Sequence, residues 1–191
     1  MSFFLIMKKV INFYKDNPFN YSDDINIYLE SIKNSNQVIE YEDLHKLLSN
    51  NYGLGKNKKD IIEFGFGTGW LTNTISYHYK KKVHAVDFTK KAIETAQEVS
   101  NSLKVYPRYT FSNIFSFEDP NLYDLVISLG VLHHIPDTQK ALLGCTSKLK
   151  KGAPLKGPKG FYKNPPLAWD AKERSNDNCV AFLQFPNNVT F

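Results

Sequence analysis

The sequence predicts an α/β domain in which a mostly parallel sheet carries helices on both faces. Three observations predict it. Short apolar runs at residues 61–64 and 123–129 have the hydrophobicity of strands buried on both sides, and 83–86 and 109–112 fit two further strands between them. Longer segments of helical spacing, 71–79, 90–100 and 137–150, alternate with them. The first strand breaks straight into glycines in D-I-I-E-F-G-F-G-T-G-W, residues 60–70, the kind of strand-to-helix turn at which such sheets bind ligands.

At 191 residues the chain is long enough for one domain with a proper core, and no low-complexity linker divides it. The net charge of +5 comes mostly from lysines in scattered clusters at 56–59, 80–82 and 148–151, without interleaved arginine and aromatics. These read as solvated loop and helix-end lysines, which disfavours a nucleic-acid partner. Cys145 and Cys179 sit in no C-x-x-C pair or metal-ligand spacing, so reduced thiols, no metal and a cytoplasmic location are expected. The apolar start is too short for a signal peptide or a membrane span.

Taken in order, residues 3–14 can form an amphipathic helix that ends at Asn17-Pro18, followed by a turn bearing Phe19 and Tyr21. A second helix is expected over 23–32. A third, with Ile39, Leu44, Leu47 and Leu48 as its apolar stripe, stops at 50–53. The glycine turn reads G-x-G-x-G, whereas a dinucleotide site requires G-x-G-x-x-G, and Trp70 stands where that last glycine would be. No Gly-Lys-Ser/Thr follows, so a P-loop is excluded as well. The second strand ends in Asp87, about 20 residues past the loop, the distance at which a carboxylate takes a ribose diol. Thr89 is a good N-cap for the helix over 90–100, which leaves Asp87 free for a ligand. Asn113 and Ile114 follow the third strand. The fourth runs into G-V-L-H-H-I-P-D, residues 130–137, where His133 and His134 are the candidates for acid or base chemistry, and Asp137 caps the next helix.

Together, E-F-G-F-G-T-G, the Asp87-Phe88 pair, Asn113-Ile114 and S-L-G-V-L-H-H-I-P-D resemble, in order, the motifs of class I S-adenosylmethionine-dependent methyltransferases acting on small molecules. The resemblance covers residues 60–150. It implies a Rossmann-like three-layer sandwich, S-adenosylmethionine as cofactor and a small-molecule methyl acceptor. It places Glu63, Gly65, Phe66, Gly67 and Gly69 at the cofactor's amino acid end, Asp87 on the ribose and Phe88 against the adenine. Asn113 stands where the family usually has aspartate, and its amide oxygen can still accept from the adenine amino group. Ile114 and Leu129 complete the cofactor set. Residues 1–55 correspond to a helical lid, with Phe19 and Tyr21 as contacts, and residues 56–151 to the cofactor-binding core.

The resemblance stops at Lys151-Gly152, where a tail over 152–191 begins that holds five of the nine prolines, at 154, 158, 165, 166 and 186. Pro154 and Pro158 obstruct a fifth central strand, and only 179–185 reads as a strand. The sheet is therefore expected to be incomplete at its C-terminal strands, as in a truncated or frame-shifted version of a longer enzyme. Unless the tail covers it, strand four then presents an apolar edge through which copies self-associate. A catalytically inactive cofactor-binding fragment or interaction module is the competing reading. A nucleotide-dependent oxidoreductase is disfavoured by Trp70, and a tRNA-modifying enzyme has little support from scattered lysines.

Overall fold

The computed structural model describes residues 12–15, 18, 21–34, 59–135, 137–150, 155–156 and 179–183; of 133, 155–156 and 179–183 the backbone alone is described. The elements are α1 (Ile25–Asn34), β1 (Ile61–Phe64), α2 (Trp70–Tyr79), β2 (Val83–Asp87), α3 (Lys90–Leu103), β3 (Arg108–Phe111), β4 (Leu125–Leu129), a 3-10 turn (Leu132–His134), α4 (Thr138–Thr146), β5 (Leu155–Lys156) and β6 (Cys179–Leu183). The strands form one sheet in the order β3-β2-β1-β4-β6-β5, and every pairing is parallel.

The period of two along each strand sorts side chains into the layers. Ile61, Val83, Leu125 and Ile127 meet Leu71 and Ile75 of α2 on one face. Ile62, Phe64, Val86 and Val126 meet Leu132 and the α4 residues Ala141, Leu142 and Cys145 on the other. Both faces of the central strands are covered, which is why β1 and β2 are buried at every position. On α3, Ala92 and Ala96 pack on Ala85 of β2, and Val99 and Leu103 bury Tyr28 and Ile32 of α1. The C-terminal end of α1 is tied to α2 by the His78 ring, whose Nε2 lies 2.6 Å from the carbonyl of Ile32.

Two expectations change at the far side of the sheet. β6 pairs in parallel along the whole of β4, from Leu125–Cys179 to Leu129–Leu183. The strand expected at 179–185 therefore occupies the edge through which self-association was expected, and that premise does not hold in the folded chain. A two-residue strand, Leu155–Lys156, also forms beside β6 in the interval between Pro154 and Pro158. Prolines flanking so short a strand leave its own donors intact. Pro154 and Pro158, like Phe19 and the helix proposed from Ile39 to Leu48, lie outside the described residues.

Candidate functional site

The carboxyl ends of β1, β2 and β4 meet at one rim. The turn after β1 is built on positive φ angles at Gly65 (73°), Gly67 (55°) and Gly69 (79°), a region closed to ordinary side chains at little cost. Two of these glycines are also required for space. A Cβ on Gly65 would lie 2.3 Å from a methyl of Val131, just beyond β4, and one on Gly69 would lie 2.6 Å from the Ala96 Cβ of α3. Gly69 thus performs the close helix approach that Trp70 could not. Trp70 itself opens α2 and packs partly buried on the core.

The turn folds back on Asp87. The Gly67 N–H donates to Asp87 Oδ2 at 3.1 Å, and the Thr89 N–H donates to Oδ1 at 2.9 Å. The second bond corrects the sequence reading: Thr89 occupies the N-cap position of α3, yet its side chain makes no capping bond, and Asp87 is not free. Asp87 is 6% exposed; burial pushes its carboxyl above the usual carboxylate range, opposed by the Gly67 N–H, the hydroxyl and N–H of Thr89 and the Phe88 N–H. Glu63 is on the same face, since Glu63 pairs with Ala85 and Asp87 is two residues further along β2. It is 2% exposed and receives the hydroxyl of Thr72 on Oε2. Burial pushes its carboxyl up to about 7, with Thr72 acting in the opposite sense and the charge of Asp87 adding to the rise. Thr72 was missed from sequence, because its role rests only on the first turn of α2 lying over the end of β1.

The other predicted residues divide. Phe66 turns its ring into the core with Ala85, Ala92 and Ala96, 5.3 Å from the Tyr109 ring, and its carbonyl accepts from the Gly69 N–H at 2.9 Å. It supports the loop and offers no side chain to a ligand. Asn113 spends its amide oxygen on the N–H groups of Phe115 (2.7 Å) and Ser116 (3.3 Å), so the acceptor foreseen for an adenine is engaged in a local turn. Ile114 packs partly buried on the α4 side, and Leu129 on the α2 side. Phe88 is half-buried.

After β4 the chain turns through Gly130, φ 68°, into the 3-10 turn that carries both histidines. The side chain of His133 lies outside the described residues. His134 Nε2 is 3.0 Å from the hydroxyl of Tyr14, and the two rings meet edge to face with centroids 5.4 Å apart. Tyr14 had no motif to betray it. Tyr21 lies on the other side, its ring under Lys91 Nζ at 3.8 Å and its hydroxyl donating to Asp23 at 2.6 Å. Segments before α1 therefore touch both β4's following turn and the start of α3.

This is the geometry against which known proteins can be compared. Residues 62–155 match the model of a family described as a methyltransferase domain. That stretch is similar to a methyltransferase domain, on a fold shared with solved methyltransferases. The domain is 27% identical over 112 residues to a ubiquinone biosynthesis O-methyltransferase of Rickettsia akari, covering 59% of this chain and 44% of the relative. An uncharacterized methyltransferase of Bacillus mycoides is 29% identical over 133 residues, 66% of this chain and 56% of that one. The chain thus spans about half the length of these two curated relatives. Among solved structures, the magnesium protoporphyrin IX methyltransferase of Synechocystis PCC 6803 with bound SAM shares the fold at TM-score 0.53 and 15% identity, over 78% of this chain and 73% of its own. Among the described residues, no cluster of potential metal ligands occurs and no helix is long and apolar enough to cross a membrane.

Proposed function

We propose that the chain binds S-adenosylmethionine along the carboxyl rim of β1, β2 and β4 and transfers its methyl group to a small-molecule acceptor. The observation that carries the reading is the Gly67–Asp87 bond, with Glu63 on the same face: bare main chain and two buried carboxylates converge where a cationic amino acid nucleoside needs them. The site fits the cofactor by the chemistry of its donors. Gly67 leaves its backbone uncovered, Asp87 offers a carboxylate for a ribose diol, and Glu63 offers one for an ammonium group.

The bound cofactor supplies a methyl group on a sulfonium centre, already activated for displacement. What the chain's residues add is placement. Holding nucleophile and methyl in line can account for up to ~7–11 kcal/mol of the barrier in favourable cases. Asp87 fixes the sugar, Asn113 closes the turn that presents Ile114 to the base, and Phe88 and Leu129 supply apolar walls. His134, steadied by Tyr14, is positioned to receive a proton from an acceptor hydroxyl or amine. The segment over 1–55 acts as a lid, the core over 56–151 holds the cofactor, and the tail over 152–191 contributes the strand beside β4.

Thermal unfolding with and without S-adenosylmethionine tests binding. At 100 times its dissociation constant the ligand stabilises the fold by about 2.7 kcal/mol, and an unmoved transition in a folded sample removes the proposal. The half-length coverage of the relatives supports a second reading, a domain that binds the cofactor without turnover. Transfer of a labelled methyl group to any member of a phenol, catechol and amine panel decides for the enzyme.

A further inference from the structure

The tyrosine that reaches the carboxyl rim from the start of the chain differs from others in what holds its hydroxyl. Tyr21, Tyr109 and Tyr123 give their protons to Asp23 (2.6 Å), Asn73 (2.8 Å) and Asp119 (3.0 Å), side-chain oxygens that only accept. Tyr14 has the imidazole of His134, with Nε2 at 3.0 Å, as the only hydrogen-bond partner of its hydroxyl among the described residues. A phenol ionises at about pH 10, so at neutral pH that hydroxyl carries its proton. Nε2 is the acceptor open to it, and His134 then bears its own proton on Nδ1. In this tautomer neither ring nitrogen has a lone pair to spare. The Tyr14 oxygen, donating once, still has room to accept.

We infer that Tyr14 is a catalytic residue: its phenol oxygen takes the proton of the acceptor's O–H or N–H group while its own proton passes to His134 Nε2. This rests on the methyl-transfer reading above and names the atom at which the acceptor docks. The pair stands beside the glycine turn. The His134 N–H donates to the Val131 carbonyl at 3.0 Å, and the methyls of Val131 close on Gly65. The edge-to-face contact of the two rings, centroids 5.4 Å apart, sets the angle at which the hydroxyl meets Nε2. In the step, a lone pair of the acceptor atom forms the bond to the methyl carbon, the electron pair of the broken methyl–sulfur bond stays on sulfur, and the acceptor's proton is handed through Tyr14 to His134. The positive charge that leaves sulfur ends on the imidazolium, which returns the proton to solvent after turnover. An acceptor with no proton to give, such as a tertiary amine or a thioether, gains nothing from this pair, so the substrate class is a hydroxyl compound or a primary or secondary amine.

Long-range proton–nitrogen correlation spectra of the isotope-labelled full chain, free of cofactor at about pH 8, read the tautomer without turnover. The His134 ring, assigned by its loss in His134→Gln, is expected in the Nδ1–H form. Tyr14→Phe keeps the ring contact but frees Nε2, and should move the ring toward the Nε2–H form. With S-adenosylmethionine and whichever phenol, catechol or amine of the panel turns over fastest, Tyr14→Phe should lower kcat about a hundredfold and leave affinity for S-adenosylhomocysteine unchanged. Adding His134→Gln should slow the chain no further than the slower single variant, since the two act as one relay. A native ring protonated on Nε2, a tautomer unmoved by Tyr14→Phe, a kcat kept by that variant, or losses that multiply in the double variant overturns the inference and leaves methyl transfer standing. Should Tyr14→Phe fail to fold, the native tautomer decides. Absence of transfer to every panel member overturns the enzyme reading and this inference with it.

Discussion

The two rims of the sheet handle buried polar groups in opposite ways. At the amino-terminal rim, Asp119, its side chain 2% exposed, accepts from the Tyr123 hydroxyl (3.0 Å) and from the main chain (2.8 Å) and amide (2.7 Å) of Asn121. Tyr123 spends its proton there, so His84 reaches the Tyr123 oxygen at 2.6 Å as an Nδ1–H donor, and its Nε2 accepts from Thr110 at 2.8 Å. Burial, with the Arg108 charge, pulls His84 down to about 4 against the pull of Asp119, so it stays neutral. Burial alone would raise Asp119, yet these hydrogen bonds outweigh it and hold the carboxyl below its usual range. Every group in that cluster is answered within the fold. At the carboxyl rim, two carboxylates share a face, and the glycine backbone between them is held at positive φ. One rim is a clasp; the other keeps charge and uncovered main chain for a ligand. Burial of polar groups therefore does not by itself mark a site; the separating feature is that the carboxyl rim sets its carboxylates beside the glycine backbone of a turn.

The strongest test of this contrast is Gly65→Val. The substitution forces a side chain into both a disfavoured φ and the Val131 methyls, and stability should fall by about 3–5 kcal/mol in denaturant titrations. Next, Asp119→Ala breaks the clasp and strands His84 and Tyr123, at an expected loss of about 3 kcal/mol, with cofactor affinity unchanged in whatever remains folded. Asp87→Asn turns an amide NH2 toward one of two main-chain donors, so it should cost about 1–2 kcal/mol, less than Asp119→Ala, while weakening cofactor binding at least tenfold. A stability loss matching that of Asp119→Ala would erase the distinction between the rims.

The pH dependence sharpens it further. Glu63 has a folded-state value raised to about 7, so its contribution is fully present below the unfolded carboxylate value and is lost as pH rises through 7. His84 has a folded-state value lowered to about 4, so its contribution is present above the unfolded imidazole value and is lost as pH falls through 4. Between about pH 4.5 and 6.5 the two slopes oppose each other. Glu63→Gln removes one of them. The free variant should gain about 2–3 kcal/mol relative to the native chain at about pH 8 and lose stability more steeply on acidification, as urea titrations across that range will show. Smallest of all, Asp137→Ala deletes the cap whose carboxylate accepts from the Lys140 N–H at 2.9 Å, and should cost about 1 kcal/mol by the same titrations.

Local chemistry made most of the core legible. Ile61–Phe64, Val83–Asp87 and Leu125–Leu129 announced themselves because strands covered on both faces must be apolar throughout. The boundaries of α2 and α4 fell within a few residues because Gly69 and Asp137 act on their own neighbours. At Phe66 and Asn113 the sequence did not say where the side chains lie, because adjacency to a motif does not fix which way a side chain faces. The ring of Phe66 went to the α3 core and the amide of Asn113 to its own turn.

From sequence alone came the parallel α/β plan, the glycine turn and the acidic residue at the end of the second strand, since each depends on dihedral freedom or hydrophobic period over a few residues. Tertiary structure decided the rest: that Thr72 meets Glu63, that Tyr14 meets His134 across 120 positions, and that a strand from the tail lies along β4. Whether nine positions apart, as Thr72 and Glu63, or 120, as Tyr14 and His134, such residues carry no local trace of one another, and only the packing of helices and strands fixes which side chains come within reach.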